Sequence, residues 1–181
     1  VFKGVLPPPG GWRTLLDTMY GKRLITLERY AFSDDSLDPA HLQALARQVP
    51  AGFEVRRIDL GLAERIVSES GPVVEDHVRN FDSPAGFVAR GAGFVVMEGD
   101  RIVAMASSYA ACNRGIEVQV NTDPDYRRQG LATAVSARLI ADCLARGVAV
   151  HWDAANRESA ALAVRLGYMP AGSYEMLMRV A

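Results

Sequence analysis

The sequence predicts a mixed α/β fold, and three observations carry that prediction. Some short runs place apolar residues at every second position, while longer ones place them every third or fourth. After Pro50-Ala51-Gly52 these segments follow one another in the order β-α-α-β-β-β-α-β-α-β. The chain has 181 residues, 49% of them hydrophobic and 23% charged, a composition suited to one full packed domain and part of another.

Residues 1–20 contain Pro7-Pro8-Pro9-Gly10-Gly11 and read as an extended lead-in. Gly21 to Phe32, with Leu24-Ile25-Thr26-Leu27, reads as a strand. Asp38 and Pro39 open a helix as N-cap and first helical residue, Leu42, Leu45 and Val49 share its face, and Pro50 stops it. Pro50-Ala51-Gly52 is the best boundary. It divides an N-terminal extension, residues 1–50, from a domain at residues 51–181. Phe53 to Ile58 alternates as a strand, Leu60 to Glu69 is helical, and a second short helix follows Pro72. Phe94 to Met97 and Ile102 to Tyr109 form a hairpin around Glu98-Gly99-Asp100. Gly115 to Thr122 alternates through Ile116, Val118 and Val120 and ends before Asp123-Pro124. Leu131 to Arg146 is a helix with Leu131, Val135, Leu139 and Cys143 on one stripe and Gly147 as its stop. Val148 to Trp152 is a strand, Arg157 to Leu166 a helix between Asn156 and Gly167, and Tyr174 to Val180 a closing strand.

Charge and cysteine content exclude several functions. Twenty basic and 21 acidic residues give a net charge of −1, without the basic excess that gripping many phosphates requires, so no nucleic-acid partner is expected. Eighteen of the basic residues are Arg, a bias read first as codon usage. No run approaches the roughly 18 apolar residues that span a bilayer, and no charged-then-apolar leader is seen, which points to a cytoplasmic protein with no membrane partner. Cys112 and Cys143 form neither a disulfide framework nor a zinc cage; both read as small hydrophobes of the core or a strand end, and no metal is expected.

The chemically informative stretch runs from Val118 to Thr133. A strand enters the loop Asp123-Pro124-Asp125-Tyr126-Arg127-Arg128-Gln129-Gly130, which leads directly into the helix at Leu131-Ala132-Thr133. Gly130 lets the chain turn with its amides exposed, and small Ala132 leaves room over the first helical turn. The free N–H groups from Arg127 to Thr133 then make an anion site suited to a pyrophosphate, with Arg127 and Arg128 adding charge beside it. The plainer reading is a strand-to-helix connection with solvated arginines, and a bare Arg-x-x-Gly-x-Ala string does not exclude it.

Context strengthens the anion site. The loop follows a strand, and an Asn-headed helix ending in Leu166-Gly167-Tyr168 comes later. This pattern resembles the GCN5-related N-acetyltransferase (GNAT) superfamily over about residues 53–180. Gly115 to Thr122, Tyr126 to Thr133 and His151 to Ser159 look like a smaller bacterial group that includes an antibiotic self-resistance acetyltransferase, a likeness that extends weakly to Asp38 through Phe53. The resemblance implies a central, mostly antiparallel sheet flanked by helices and splayed between its fourth and fifth strands. It implies acetyl-CoA as cosubstrate. Val120, Asn121 and Thr122 would bond the pantetheine arm through backbone groups, with an N–H at this strand end polarising the thioester carbonyl. Arg127, Arg128, Gln129, Gly130, Leu131, Ala132 and Thr133 would hold the pyrophosphate. Asn156 would contact the pantetheine with Ser159 close by, although Asn156 also reads as a plain helix N-cap.

The amine acceptor must lose a proton to attack, because an alkylamine with a pKa near ~10 is mostly charged at neutral pH. In many relatives the base lies on the strand here spanning Gly115–Thr122, on the face that carries the apolar Ile116 and Val118. Glu117 alternates to the opposite face unless a bulge re-aims it. His151 and Asp153 alternate onto one face of the next strand. Glu117, His151 and Asp153 are thus the candidate bases, though a structural role suits a lone His or Asp at a strand end at least as well. A Tyr that relatives use to protonate the leaving sulfur is replaced by Ala163. The leading expectation is an acetyl-CoA-dependent N-acetyltransferase for an amine of a small molecule, an antibiotic or a metabolite, by direct attack in a ternary complex. The alternatives are a non-catalytic acyl-CoA-binding sensor or structural module, and a transferase using another acyl donor such as aminoacyl-tRNA. A homodimer is possible from the N-terminal region.

Overall fold

The computed structural model describes residues 4–5 and 10–179. In chain order its elements begin with β1 (Gly4–Val5), α1 (Trp12–Tyr20), β2 (Leu24–Ser33), α2 (Pro39–Ala46), β3 (Glu54–Arg57) and α3 (Leu60–Ser68). They continue with α4 (Pro84–Arg90), β4 (Gly93–Glu98), β5 (Arg101–Ala111) and β6 (Gly115–Thr122). The last are α5 (Leu131–Ala145), β7 (Ala149–His151), β8 (Asp153–Ala154), α6 (Arg157–Leu166) and β9 (Met169–Arg179).

The strands form two sheets, in the orders β3-β4-β5-β6-β7 and β1-β9-β2-β8. Every pair is antiparallel except β6 with β7, so the sheet carrying the helices is mostly antiparallel, as expected.

Strand alternation divides the core into two layers. Phe94, Val96, Ala104, Ala106 and Ile116 pack with Leu131, Val135, Leu139 and Ile140 of α5 on one face. Val95, Met97 and Met105 pack with Leu62, Ala63 and Ile66 of α3 and Phe87 of α4 on the other. Two-residue periodicity in β4 and β5 therefore assigns each side chain to a layer. The interior of α5 is apolar on most sides because α2 also rests on it through the fully buried Leu42.

β7 pairs with β6 over three residues only, Gly115 with Ala149, Ile116 with Val150 and Glu117 with His151. The chain then leaves the sheet at Trp152, and Asp153–Ala154 pair instead with Ala31 and Tyr30 of β2. Trp152 is the pivot: its indole N–H donates to Ser159 Oγ at 3.2 Å, and its ring lies 5.6 Å from that of Tyr168. Beyond Glu117, β6 continues from Val118 to Thr122 with no strand on that side among the described residues. The expected splay between the fourth and fifth strands of the sheet is this opening between β6 and β7.

Several expectations are corrected. Pro7-Pro8-Pro9 lies outside the described residues, but Trp12–Tyr20 is a helix and not an extended lead-in. Trp12, Leu15, Leu16 and Met19 had the helical spacing, overshadowed by the neighbouring prolines and glycines. The short helix expected after Pro72 is absent there; a 3-10 turn spans Val78–Asn80 and the helix starts at Pro84, capped by Ser83 Oγ accepting from Gly86 N at 3.0 Å. The strand expected at Val148–Trp152 is shortened to β7, Ala149–His151, and the two residues after Trp152 form β8 in the other sheet. β9 starts at Met169, five residues before the expected Tyr174. Cys143 is buried as expected, while Cys112 is exposed. The segment before Pro50 is joined to the rest through β2, paired with β9 from Leu24–Arg179 to Ser33–Met169.

Gly93 shows how closely α4 and β4 approach. A Cβ there would lie 2.6 Å from Ile58 Cδ1, 2.9 Å from Ser107 Cβ and 3.0 Å from Phe87 Cζ. Gly93→Ala is expected to destabilise the fold by about 1–3 kcal/mol, seen as a lower thermal midpoint; an unchanged midpoint would mean the layers slide apart freely.

Candidate functional site

The opening beside β6 leads into a turn lined with amides. Gly130, the N-cap of α5, has φ +82°, and Arg128 two residues earlier has φ +64°. Left-handed residues spaced this way turn successive N–H groups toward a common point, the geometry of an anion nest. The first bond within α5 runs from Ala134 N to Gly130 O, so Leu131, Ala132 and Thr133 have no helical acceptor for their amides. The space is open: a Cβ built on Gly130 meets nothing within 4 Å. Arg127 and Arg128 are exposed beside it. An anion of pyrophosphate size fits these donors, with the α5 dipole aiding it.

The turn is pinned from the β4–β5 hairpin. Arg101 bonds Asp123 at 2.7 Å and lies over the Tyr126 ring at 5.2 Å, while the Tyr126 hydroxyl donates to Glu98. Asp123 also accepts from Asp125 N at 3.1 Å. Four side chains, Glu98, Arg101, Asp123 and Tyr126, thus hold the first half of the loop. The Arg127 N–H is taken up by Pro124 O at 3.4 Å, not free as expected, and the amides from Arg128 to Thr133 have no protein acceptor among the described residues.

A cluster of charged groups gathers at the other end of the opening. Asp153 accepts from Arg29 Nε at 3.2 and 3.3 Å and from the Tyr174 hydroxyl, and its main-chain carbonyl accepts from Arg29 Nη2 at 3.0 Å. Glu117 lies beside it, and the Asp153 N–H favours the ionised form of its carboxyl. Burial, and next the nearby Asp153 charge, push the Glu117 carboxyl up to about 7 against the help of that N–H and of Arg29. Tyr174 is pushed up to about 12 by burial and by its bond to Asp153. The site therefore contains one carboxyl poised to exchange a proton near neutrality and one already engaged by two donors.

Glu117 reaches this position without a bulge in β6. Ile116 is buried in the core beneath α5, with Val118 and Val120 packed on it, so that face is core and offers no cleft. Plain alternation turns Glu117, Gln119 and Asn121 to the other face. The bulge lies on β5, between Ser108 and Ala110. His151, cross-strand from Glu117, is exposed, with Nε2 folded against Gly115. Asp153 belongs to β8 and the second sheet, so His151 and Asp153 are not successive residues of one strand face.

The remaining predicted residues are placed as follows. Val120, Asn121 and Thr122 line the open end of β6, and the Asn121 side chain donates to the carbonyls of Val73 and Glu75 at 3.4 and 3.1 Å. Asn156 caps α6, its Oδ1 accepting from Ser159 N at 2.8 Å. Ser159 Oγ accepts from Trp152. Gln129 is exposed within the turn. Ala163 is fully buried, Tyr168 donates its hydroxyl to Val150 O at 2.8 Å, and Tyr174 donates to Asp153.

Sequence reading missed Arg29, Tyr174 and the Val73–His77 segment. Arg29 carried a signal, a charge on the strand face it shares with Leu27 and Ala31. His77 did not: it is fully buried, its Nδ1 2.6 Å from Ser107 Oγ, and burial holds its imidazole down to about 3. With Asn121 it ties the Val73–His77 segment over the outer face of β5 and β6. Two clefts lie elsewhere. One of about 570 Å³ includes Arg65, Glu69, Arg101 and Asp123, and one of about 440 Å³ includes Tyr30, Phe32, Val164 and Pro170. Neither contains Glu117 or the amide turn. Among the described residues there is no cluster of three or more metal-ligating side chains, and no helix long and apolar enough to cross a membrane.

The sequence model of a family described as GNAT acetyltransferase matches residues 2–177. An uncharacterised N-acetyltransferase of Bacillus subtilis (strain 168), YdfB, is 28% identical over 165 residues, 90% of this chain and 60% of its own length. The chain thus spans about three-fifths of that curated relative. A GCN5-related N-acetyltransferase-like protein from Streptococcus suis 89/1591 is 36% identical with a TM-score of 0.86, over 93% of this chain and 68% of its own. A GCN5-related N-acetyltransferase from Kribbella flavida has the same fold at 19% identity and a TM-score of 0.61, over 94% and 64% of the two chains.

Glu117 has a pH signature of its own. Its carboxyl ionises near 4.5 unfolded and near 7 folded, so the folded state holds the extra proton and loses stability as pH rises through that window. Glu117→Gln is expected to melt above the parent at about pH 8.5, with the gain shrinking by about pH 4; a constant difference would contradict the burial of an ionisable carboxyl there.

Proposed function

The chain belongs to the GNAT acetyltransferase family, and on that premise we propose that it transfers an acetyl group from acetyl-CoA to an amine of a small molecule. The acceptor class is an antibiotic or a metabolite, attacked directly while both substrates are bound. The observation that carries this reading is the open amide turn at Arg128–Thr133, at the end of a strand that has no neighbour on one side among the described residues.

Acetyl-CoA, when bound, supplies the acetyl group as a thioester. Arg128 to Thr133 would hold its pyrophosphate through backbone amides, with Arg127 and Arg128 neutralising charge. The unpaired edge of β6 from Val118 to Thr122 offers backbone donors and acceptors to an extended chain lying along it. On the other side, Glu117 takes the proton that the amine gives up. An amine near ~10 and a carboxyl at about 7 differ by roughly three units, or about 4 kcal/mol; an ordinary carboxylate would leave more than five. Burial of Glu117 thus removes a substantial part of the cost of the transfer. Asp153, already accepting from Arg29 and Tyr174, is the weaker candidate, and exposed His151 the least enclosed one.

Two substitutions separate binding from turnover. Gly130→Glu, which sets a carboxylate in the open space above the amides, is expected to abolish the thermal shift given by saturating acetyl-CoA. Glu117→Gln is expected to keep that shift and to lower kcat by about 10²- to 10⁴-fold in a thiol-release assay with an amine panel. Unaltered acetyl-CoA affinity in Gly130→Glu would contradict the location, and parent protein that binds acetyl-CoA but turns over no amine would make the domain a binding module.

A further inference from the structure

Arg29 comes from β2, in the segment before Pro50, yet it reaches the proton-exchanging end of the opening. Its guanidinium clamps one residue twice, through the Asp153 carboxylate and through the Asp153 main-chain carbonyl. The pairing of Ala31 with Asp153 and Tyr30 with Ala154 fixes the two strands so that this reach is short. Only 21% of the Arg29 side chain and 26% of the Asp153 side chain are exposed, so solvent screens the pair less than a surface bridge. The same Asp153 presents its N–H to Glu117.

We propose that Arg29 is a positioning residue for the acceptor-side base: by clamping Asp153 it holds that residue's N–H on Glu117, neutralises the neighbouring carboxylate, and so sets the pH at which Glu117 gives and takes its proton. The proposal rests on Glu117 being the base. Two carboxylates and one guanidinium meet here. With Arg29 in place the Asp153 charge is offset and its N–H is aimed; without it, two carboxylates face each other. The other groups facing Glu117 are His151 on β7 and, on β9, Tyr174; Tyr168, just before β9, lies within electrostatic reach. From β5 the cross-strand partner is Ala110, which carries no charge. Tyr174 is held by Asp153 and is therefore repositioned together with it.

The test follows the Glu117 carboxyl carbon by NMR as pH is varied, alongside the pH profile of kcat/KM, in the parent, Arg29→Gln, Arg29→Lys and Asp153→Asn. The proposal expects the Glu117 midpoint to rise in Arg29→Gln by about one unit or less, to return toward the parent in Arg29→Lys, and to fall in Asp153→Asn. The acid limb of kcat/KM moves with it. An unchanged Glu117 midpoint in a folded Arg29→Gln variant overturns the proposal. Where Arg29→Gln does not fold, Asp153→Asn alone decides, and a midpoint that stays or rises overturns it. Midpoints that shift as expected while the kcat/KM profile stays fixed leave the coupling in place and remove Glu117 as the base.

Discussion

Beyond Glu117, β6 has no neighbour on the β7 side among the described residues, and this ended pairing is what every part of the proposed site depends on. Three ladder pairs hold β7 to β6; then the chain turns at Trp152 and the next two residues join β2. A strand edge left unpaired inside a domain is normally covered or blunted, because its N–H and C=O groups need partners. Here the edge runs instead into a turn whose amides from Arg128 onward also lack partners among the described residues, at the positive end of a 15-residue helix. An extended ligand with an anionic end satisfies both at once. Trp152 sustains the arrangement by filling the divergence with a ring packed on Tyr168 and an N–H given to Ser159.

The two ends of the opening differ in the electrostatics that the fold supplies. At the turn, backbone dipoles and two exposed arginines favour negative charge, and Arg101 ties the first half of the loop through Asp123 and Tyr126. At the far end, burial works against charge, and three elements distant in sequence contribute Arg29, Asp153 and Tyr174. Desolvation sets the direction of the Glu117 shift, and the neighbouring charges adjust it. β2 is therefore more than a packing partner for β9, since it brings in Arg29, the one cation bonded to this group of carboxylates among the described residues.

Much of this was legible in the sequence, and the unread remainder has physical causes. Strands β4 and β5 announced themselves as apolar runs on either side of a glycine turn because both of their faces are core, β6 through alternation because one face is core, and α5 through an apolar stripe ending at Gly147. The turn was legible because glycine and small-residue demands there are local. The faces of β6 were assigned the wrong way round: Ile116 and Val118 look like a cleft lacking its base, but the core under α5 claims them and leaves the other face to Glu117. The exit at Trp152 is a tertiary event that no local pattern signals, so β7 and β8 read as one strand. Arg29 and Tyr174 lie more than a hundred residues apart, and only the β2–β9 ladder unites them around Asp153.

Whether the open edge of β6 and the turn after it form one continuous ligand site is read from backbone amide resonances followed while coenzyme A is added. One continuous site gives shifts concentrated at Gln129–Thr133 and along Val118–Thr122, in one saturating step. Shifts confined to the cleft of Arg65, Glu69 and Arg101, or to that of Phe32 and Val164, with the turn unmoved, would contradict it.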